Sequence, residues 1–382
     1  MMVTTALGVS QTLAWASSYY LPAILAAPIS NDLRLPRAWF FAAFSAALLI
    51  AACVGPAVGR LIDRRGGRGV LVASNIVFAA GLVLLAGASG AVTLFVAWAV
   101  LGIGMAMGLY DAGFAALTAL YGRDARGPIT GVTLFAGFAS TVSWPLTALM
   151  NDALGWREAC LVWAALNLML GLPLNRLMLP GVTRALEMPR AAASAVGWKP
   201  YREMLLLAFV FSAGWFVTGA MAAHMPGLLA LAGASPVEAV AAAALIGPAQ
   251  VAARLAEFAI LRRVHPLVSA RIALSLHPIG VGLFALTGAP GAALFVILYG
   301  AGNGLLTIAR GTVPLALFGP HGYGERTGLL GAPARAAQAF APLLFGLLLD
   351  AIGLWALAIS AGLGLAALGA LLCLRCELLA DR

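Results

Sequence analysis

Gly59-Arg60-Leu61-Ile62-Asp63-Arg64-Arg65-Gly66-Gly67-Arg68 is a short, strongly charged stretch wedged between two long apolar ones. Apolar residues make up 62% of the 382-residue chain and charged residues only 10%. A soluble domain of this size cannot hide so much apolar surface, whereas a bilayer can. The 44 glycines suit that setting, because small residues let helix backbones approach closely in lipid. A net charge of +9 raises the question of nucleic-acid binding. The cations answer it: they sit singly or in short runs between apolar stretches, which is a topology signal. The expected partner is the lipid bilayer, and nucleic acid is excluded.

Roughly 20 apolar residues cross the hydrocarbon core. Twelve segments meet or approach that length: 4–30, 38–58, 69–88, 91–113, 127–150, 155–178, 203–230, 236–261, 267–287, 290–311, 326–350 and 353–375. In this reading the charged stretch is a turn between spans 2 and 3. The expected fold is an all-α membrane protein of twelve transmembrane helices. Residues 1–178 form one six-helix bundle, 179–202 a polar, Pro-containing central loop, and 203–382 a second six-helix bundle.

The cations set the orientation. Of 23 Lys and Arg, only Arg34, Arg37 and Arg157 fall in odd-numbered loops. Arg60, Arg64, Arg65, Arg68, Arg123, Arg126, Arg176, Arg184, Arg190, Lys199, Arg202, Arg262, Arg263, Arg271 and Arg326 fall in or beside even-numbered ones. Cytoplasmic loops carry the excess of cations, so both termini and the central loop are expected in the cytoplasm, with the spans in the plasma (inner) membrane. The first apolar segment starts near Met1 and exceeds signal-peptide length, so it reads as a retained span. Cys53, Cys160, Cys373 and Cys376 suggest no disulfide framework, and the lone pair Cys373-Leu-Arg-Cys376 has no nearby His.

The two halves repeat. Gly55-Pro56 recurs as Gly247-Pro248, and Gly59-Arg-Leu-Ile-Asp63 as Ala253-Arg-Leu-Ala-Glu257. Thr130-Gly131, Pro145 and Asp152 recur as Thr327-Gly328, Pro342 and Asp350. Internal repeats of six spans mark transporters whose substrate site lies between two rocking halves. These spans, their repeat and Gly59-x-Leu61-x-Asp63-Arg64-x-Gly66 together resemble the major facilitator superfamily. Gly67 stands where that family often has a basic residue, and Arg68 follows one place later. The resemblance implies a gating role for the stretch, with Asp63 engaging the start of span 11 and Gly59, Arg64 and Arg68 beside it. The alternative is a topology anchor. More narrowly, Arg254 on span 8 and Arg335 on span 11 are similar to the cations with which monocarboxylate carriers and carboxylate exchangers hold an anion.

Ionisable residues inside spans are costly and are functional candidates. Arg335 lies about nine residues into span 11, with Gln338 on the same face. Its planar fork suits a carboxylate or oxyanion, or else a structural carboxylate partner. Arg254 is either a second anion clamp or, with Glu257, a decayed copy of the gating turn. Asp111 closes span 4 and Arg310 closes span 10, as a gate across the halves, with Asp111 a candidate proton carrier, or as separate interfacial charges. Glu257 and His224 are further candidates for proton coupling, although His224 is equally a satisfied interfacial residue. Tyr19, Tyr20, Trp215 and Asn303 are candidate cavity walls, or helix packing. The chain has no G-x-x-x-x-G-K-[ST] loop, no metal-ligand cluster and no nucleophile–base constellation. It therefore reads as a cofactor-free monomeric secondary transporter and not an enzyme. It would move a small carboxylate or inorganic oxyanion together with protons or against a counter-substrate; the alternative is proton-coupled efflux of a neutral, amphipathic or toxic compound.

Overall fold

A computed structural model describes residues 2–181 and 199–374, and all regular structure among them is helical. The expected central loop therefore lies largely outside the described residues, as does Cys376. The helices are α1 (Met2–Ala16), α2 (Pro22–Asp32), α3 (Arg37–Arg65), α4 (Gly67–Ala86), α5 (Ala91–Gly108), α6 (Tyr110–Tyr121), α7 (Arg126–Ala136), α8 (Ala139–Leu154) and α9 (Trp156–Leu166). They continue as α10 (Lys199–Leu231), α11 (Pro236–Ala243), α12 (Ile246–Ala259), α13 (Pro266–Thr287), α14 (Ala292–Phe318), α15 (Tyr323–Ile352) and α16 (Trp355–Leu372). Among the described residues, ten helical runs are long and apolar enough to cross a bilayer. In hydrocarbon every backbone polar group needs an internal partner, and a helix supplies one for each.

Several expected spans are broken helices. Residues 4–30 do not form one helix, because the chain leaves α1 at Ser17 and re-enters a helix at Pro22. The Ser17 and Ser18 hydroxyls donate to the Leu13 and Ala14 carbonyls at 2.8 and 2.6 Å, supporting the backbone where the helix ends. A second break falls at Leu109, which is extended between α5 and α6. There the Gln11 side-chain amide donates to the Gly108 carbonyl at 2.6 Å, from 97 residues away. Past Leu166 the helix widens into π-type turns over Asn167–Gly171 and Leu174–Met178. Asn167 lies buried in them and donates to Trp163 O and to the Ser17 hydroxyl.

The charged stretch is not a turn. Residues 59–65 form the last two turns of α3, which ends only at Gly66, where φ is +78° and an L side chain is disfavoured, and Gly67 and Arg68 open α4. Before that point the stretch contains no breaker, and Arg64 and Arg65 suit the negative end of the helix dipole. Gly67 also has a reason to depart from the family pattern. A Cβ there would collide with Ala116 of α6.

Contacts divide the chain into two units, Met1–Leu186 with Phe318–Ala332, and Glu187–Leu317 with Pro333–Arg382. In the first, glycines let helices touch. Gly102 of α5 sits on the Ala47 carbonyl of α3, while Gly104 and Gly108 face the Phe78 ring of α4. One end of this unit is tied by Arg157, which bonds Asp32 at 2.9 Å and the carbonyls of Ala86 and Ala88 at 2.6 and 3.0 Å. Three odd-numbered loops thus meet at one place. The second unit packs Met221, Met225 and Leu228 of α10 against Phe284, Phe295, Phe345 and Leu357. Arg271 donates to Leu371 O and Leu374 O, closing the C-terminal end of α16.

Candidate functional site

Asp63 is half-buried near the end of α3. Its two carboxylate oxygens accept hydrogen bonds from the Gly324 and Glu325 backbone N–H groups at 2.8 and 2.9 Å. These are first-turn donors of α15, which have no partner inside their own helix, and a negative charge at that end complements the helix dipole. Hydrogen bonds to a charged group contribute about 1.5–3 kcal/mol each. The nearby ion pair Arg60–Glu325, at 3.2 Å, is largely exposed and is worth about 0–1 kcal/mol. Asp63 therefore dominates this contact. The close crossing depends on paired glycines. Gly55 and Gly59 of α3 face Gly324 and Gly328 of α15, and a Cβ on any of Gly59, Gly324 or Gly328 would run into the opposing backbone. Two G-x-x-x-G pairs thus oppose each other, the arrangement that lets membrane helices pack backbone to backbone. Arg64 is exposed at the end of α3, and Arg68 is half-buried in the first turn of α4.

Further along the same unit, an aromatic cluster fills the break between α1 and α2. The Trp15 ring lies 5.1 Å from Tyr19, 5.9 Å from Tyr20 and 4.9 Å from Tyr110. Tyr20 also meets Trp144. Asp111 does not close its helix. It is buried in the first turn of α6, immediately after the break at Leu109, where the helix N-terminus favours a carboxylate. Its position inside the run follows from the break, which restarts the helix one residue before it.

In the second unit Arg254, Glu257, Arg310, Arg335 and Gln338 are all buried. Arg310 does not close its helix either, because α14 continues eight residues further to Phe318. Its guanidinium lies 4.9 Å from the centre of the Trp215 ring, within cation–π range. Arg254 donates to the Gln250 amide oxygen at 3.4 Å, and Glu257 accepts from the Ser269 hydroxyl at 2.7 Å. Both belong to the helix α12 and not to a turn. Arg335 and Gln338 share α15, which carries Pro333 just before them and Pro342 just after. Asn303 accepts from the Thr218 hydroxyl at 3.0 Å. His224 lies with Nε2 2.8 Å from the Pro342 carbonyl, so that nitrogen carries a hydrogen.

One buried group was absent from the sequence reading. His277 of α13 has Nε2 3.0 Å from the Ser360 hydroxyl, and its Nδ1 is buried without a hydrogen-bond partner. With Thr218, Tyr299 and Asn303 it lines a cavity of about 30 Å³. That is room for a water or two and too little for an organic solute. Its sequence signal was only a His beside Pro278 in an apolar run. Among the described residues no group of three His, Cys, Asp or Glu is placed to hold a metal ion.

Long apolar helices, breaks re-satisfied by neighbouring side chains and arginines buried inside the helical units define a polytopic integral membrane protein. Residues 7–332 match the model of the Major Facilitator Superfamily, and the chain belongs to that superfamily, whose members are transporters and not enzymes. An uncharacterized 38 kDa protein in the 23S RNA operon of Thermoproteus tenax is 30% identical over 334 residues, covering 78% of this chain and 83% of that protein. An MFS-type efflux pump of Mycolicibacterium smegmatis is 30% identical over 215 residues, covering 52% of this chain and 48% of the pump. The fold is similar to that of the human organic anion transporter MFSD10 (TETRAN), with a TM-score of 0.74 and 15% identity, over 97% of this chain and 99% of that one. It is also similar to the E. coli fucose:proton symporter FucP, with a TM-score of 0.75 and 13% identity, over 96% and 97%. These comparisons support the superfamily and not the narrower likeness to monocarboxylate carriers and carboxylate exchangers.

Proposed function

We propose that the protein is a secondary active transporter that moves a small anion by alternating access. The run from Ala91 to Leu154 is 64 residues long and serves as two spans, and the broken pair α1–α2 serves as the first. With these the count is twelve, read as two bundles of six in the plasma membrane, and the cation excess of the even-numbered loops supports a cytoplasmic side for both termini and the central loop. The protein works as a monomer. Asp63, with Gly59, Arg64 and Arg68 around it, is the gating contact between α3 and α15.

The observation that carries the anion reading is Arg335, buried beside Gln338 within an apolar helix that two prolines interrupt. A cation at mid-membrane costs at least about 2.5–3.5 kcal/mol unless its surroundings compensate. Among the described residues the buried charges are three arginines, Arg254, Arg310 and Arg335, against two carboxylates, Asp111 and Glu257. A buried arginine suits an anionic substrate, whose oxygens its planar fork meets in pairs. Arg335, Arg254 and Gln338 bind it, with Tyr19, Tyr20, Asn303 and Trp215 as walls. Asp111 and Arg310 open and close the path, and Asp111, Glu257 or His224 carries a coupled proton. The likeness to an MFS-type efflux pump favours a second reading, in which a neutral or amphipathic compound leaves the cell in exchange for protons. Uptake and counterflow in proteoliposomes, against a panel of carboxylates and oxyanions with and without a pH gradient, separates the two. Transport of an anion supports the first reading. Silence towards every anion, with proton-driven extrusion of an amphipathic dye, replaces it with the second.

A further inference from the structure

Three arginines from separate parts of the first unit line one cavity of about 340 Å³. Arg65 ends α3, Arg68 stands in the first turn of α4, and Arg176 lies in the last turn after α9. Gly69, Val72 and Gly181 complete the wall among the described residues, and none of these lining residues is acidic. Like charges gathered in one pocket repel, and an anion between them removes that cost.

The backbone adds to the field. The first turn of α4 has neither an acidic residue nor a side-chain cap at Gly66, and its dipole presents its positive end there. A cation at that end is unfavourable by itself, yet Arg68 occupies it. Its guanidinium is held against the Gly181 backbone, where a Cβ would come within 3.0 Å of it. Gly69 leaves open space beside it. The surroundings also restrict the ligand. Ile76, one turn beyond Val72, and Leu177, next to Arg176, are both exposed and apolar. A ligand that meets both features has a phosphate at one end and hydrocarbon at the other.

We propose that this pocket binds the phosphodiester headgroup of an anionic phospholipid, with acyl chains along Ile76 and Leu177. Arginine forks match phosphate oxygens in pairs, and basic pockets between membrane helices are suited to such headgroups. None of its lining residues is among the proposed substrate residues. Occupancy ties α3, α4 and the π-type turn Leu174–Met178 together beside the Asp63 contact.

The test is a native mass-spectrometry titration of the full chain in detergent with dioleoyl phosphatidylglycerol. Wild type binds it, and the double variant Arg65→Gln/Arg176→Gln binds about thirtyfold more weakly, the effect of removing two cations that face an anionic headgroup. Arg123→Gln, at an exposed arginine outside the pocket, binds as wild type does. Phosphatidylcholine has the same phosphodiester but a cation beside it, and binds more weakly. Inorganic phosphate does not displace the lipid. Equal affinity in wild type and the double variant, an equal loss in Arg123→Gln, or equal binding of phosphatidylcholine overturns the proposal. Displacement by millimolar inorganic phosphate overturns the lipid and assigns the pocket to a soluble phosphate. If the double variant fails to fold, Arg176→Gln alone decides, and unchanged affinity there overturns the proposal equally.

Discussion

Asp63 gives both carboxylate oxygens to backbone N–H groups of α15, so removing its charge while keeping its shape isolates what the contact does. Asn at this position retains one acceptor and turns an amide N–H toward a donor. Asp63→Asn is expected to lower the transport rate at least about tenfold, as loss of roughly one charged hydrogen bond implies. Insertion and folding persist, because the helices on either side are apolar and intact. Exchange rates in proteoliposomes, normalised to reconstituted protein, measure this. Wild-type rates would reduce Asp63 to a topology anchor. Asp63 was legible in the sequence because a carboxylate among arginines between apolar runs has few explanations. Gln11 was not. Its partner, the Gly108 carbonyl, lies 97 residues away, and only the break at Leu109 creates the need for it. His277 was missed because a His in an apolar run looks alike whether it packs or lines a cavity.

Helices α3 and α15 cross on glycine pairs, and that contact has a sharp steric signature. A Cβ on Gly324 would lie 2.5 Å from the Gly59 carbonyl oxygen and 2.8 Å from Asp63 Oδ1. Gly324→Ala therefore pushes the helices apart and is expected to cost about 1–3 kcal/mol, the usual penalty of overpacking. Gly247→Ala in α12 meets nothing within 4 Å and is expected to be neutral or to stabilise by up to about 1 kcal/mol. Thermal melting of both variants in detergent checks the pair, and equal behaviour contradicts the crossing described. The G-x-x-x-G spacing is present in the sequence at both places, but which two helices meet is a property of the fold. Helix ends were misread for a related reason. Apolar periodicity marks where lipid lies, whereas α3 runs on past the apolar stretch until Gly66 stops it, and α14 runs on past Arg310 because residues 313–318 are again apolar. The break at 17–21 left a signal in Pro22, which opens α2, whereas the break at 109 was hidden because leucine is an ordinary helix residue and its polar partner, Gln11, is distant in the sequence.

The chain as a whole was read through its charges. Arg157 draws the ends of α2, α4 and α9 together, while Arg65, Arg68 and Arg176 share a pocket formed by the opposite ends of α3, α4 and the run after α9. The cation excess therefore has a spatial counterpart within one unit. In a variant without Cys53, Cys373 and Cys376, a membrane-impermeant maleimide is expected to label cysteine at position 37 in intact cells and to miss it at position 123. The opposite pattern would invert the orientation. The substrate was the least legible property, because one superfamily fold carries many cargoes and the sequence shows which charges are buried but not what they hold. Arg335 is where that question is decided. Apo and anion-saturated melting of wild type, Arg335→Gln and Arg335→Lys, using the best anion from the transport panel, reads binding directly, since a ligand of the folded state raises its melting. The anion shift is expected to vanish in Arg335→Gln and to survive in part in Arg335→Lys, which keeps the charge and loses the fork. An undiminished shift in Arg335→Gln would contradict the anion carrier.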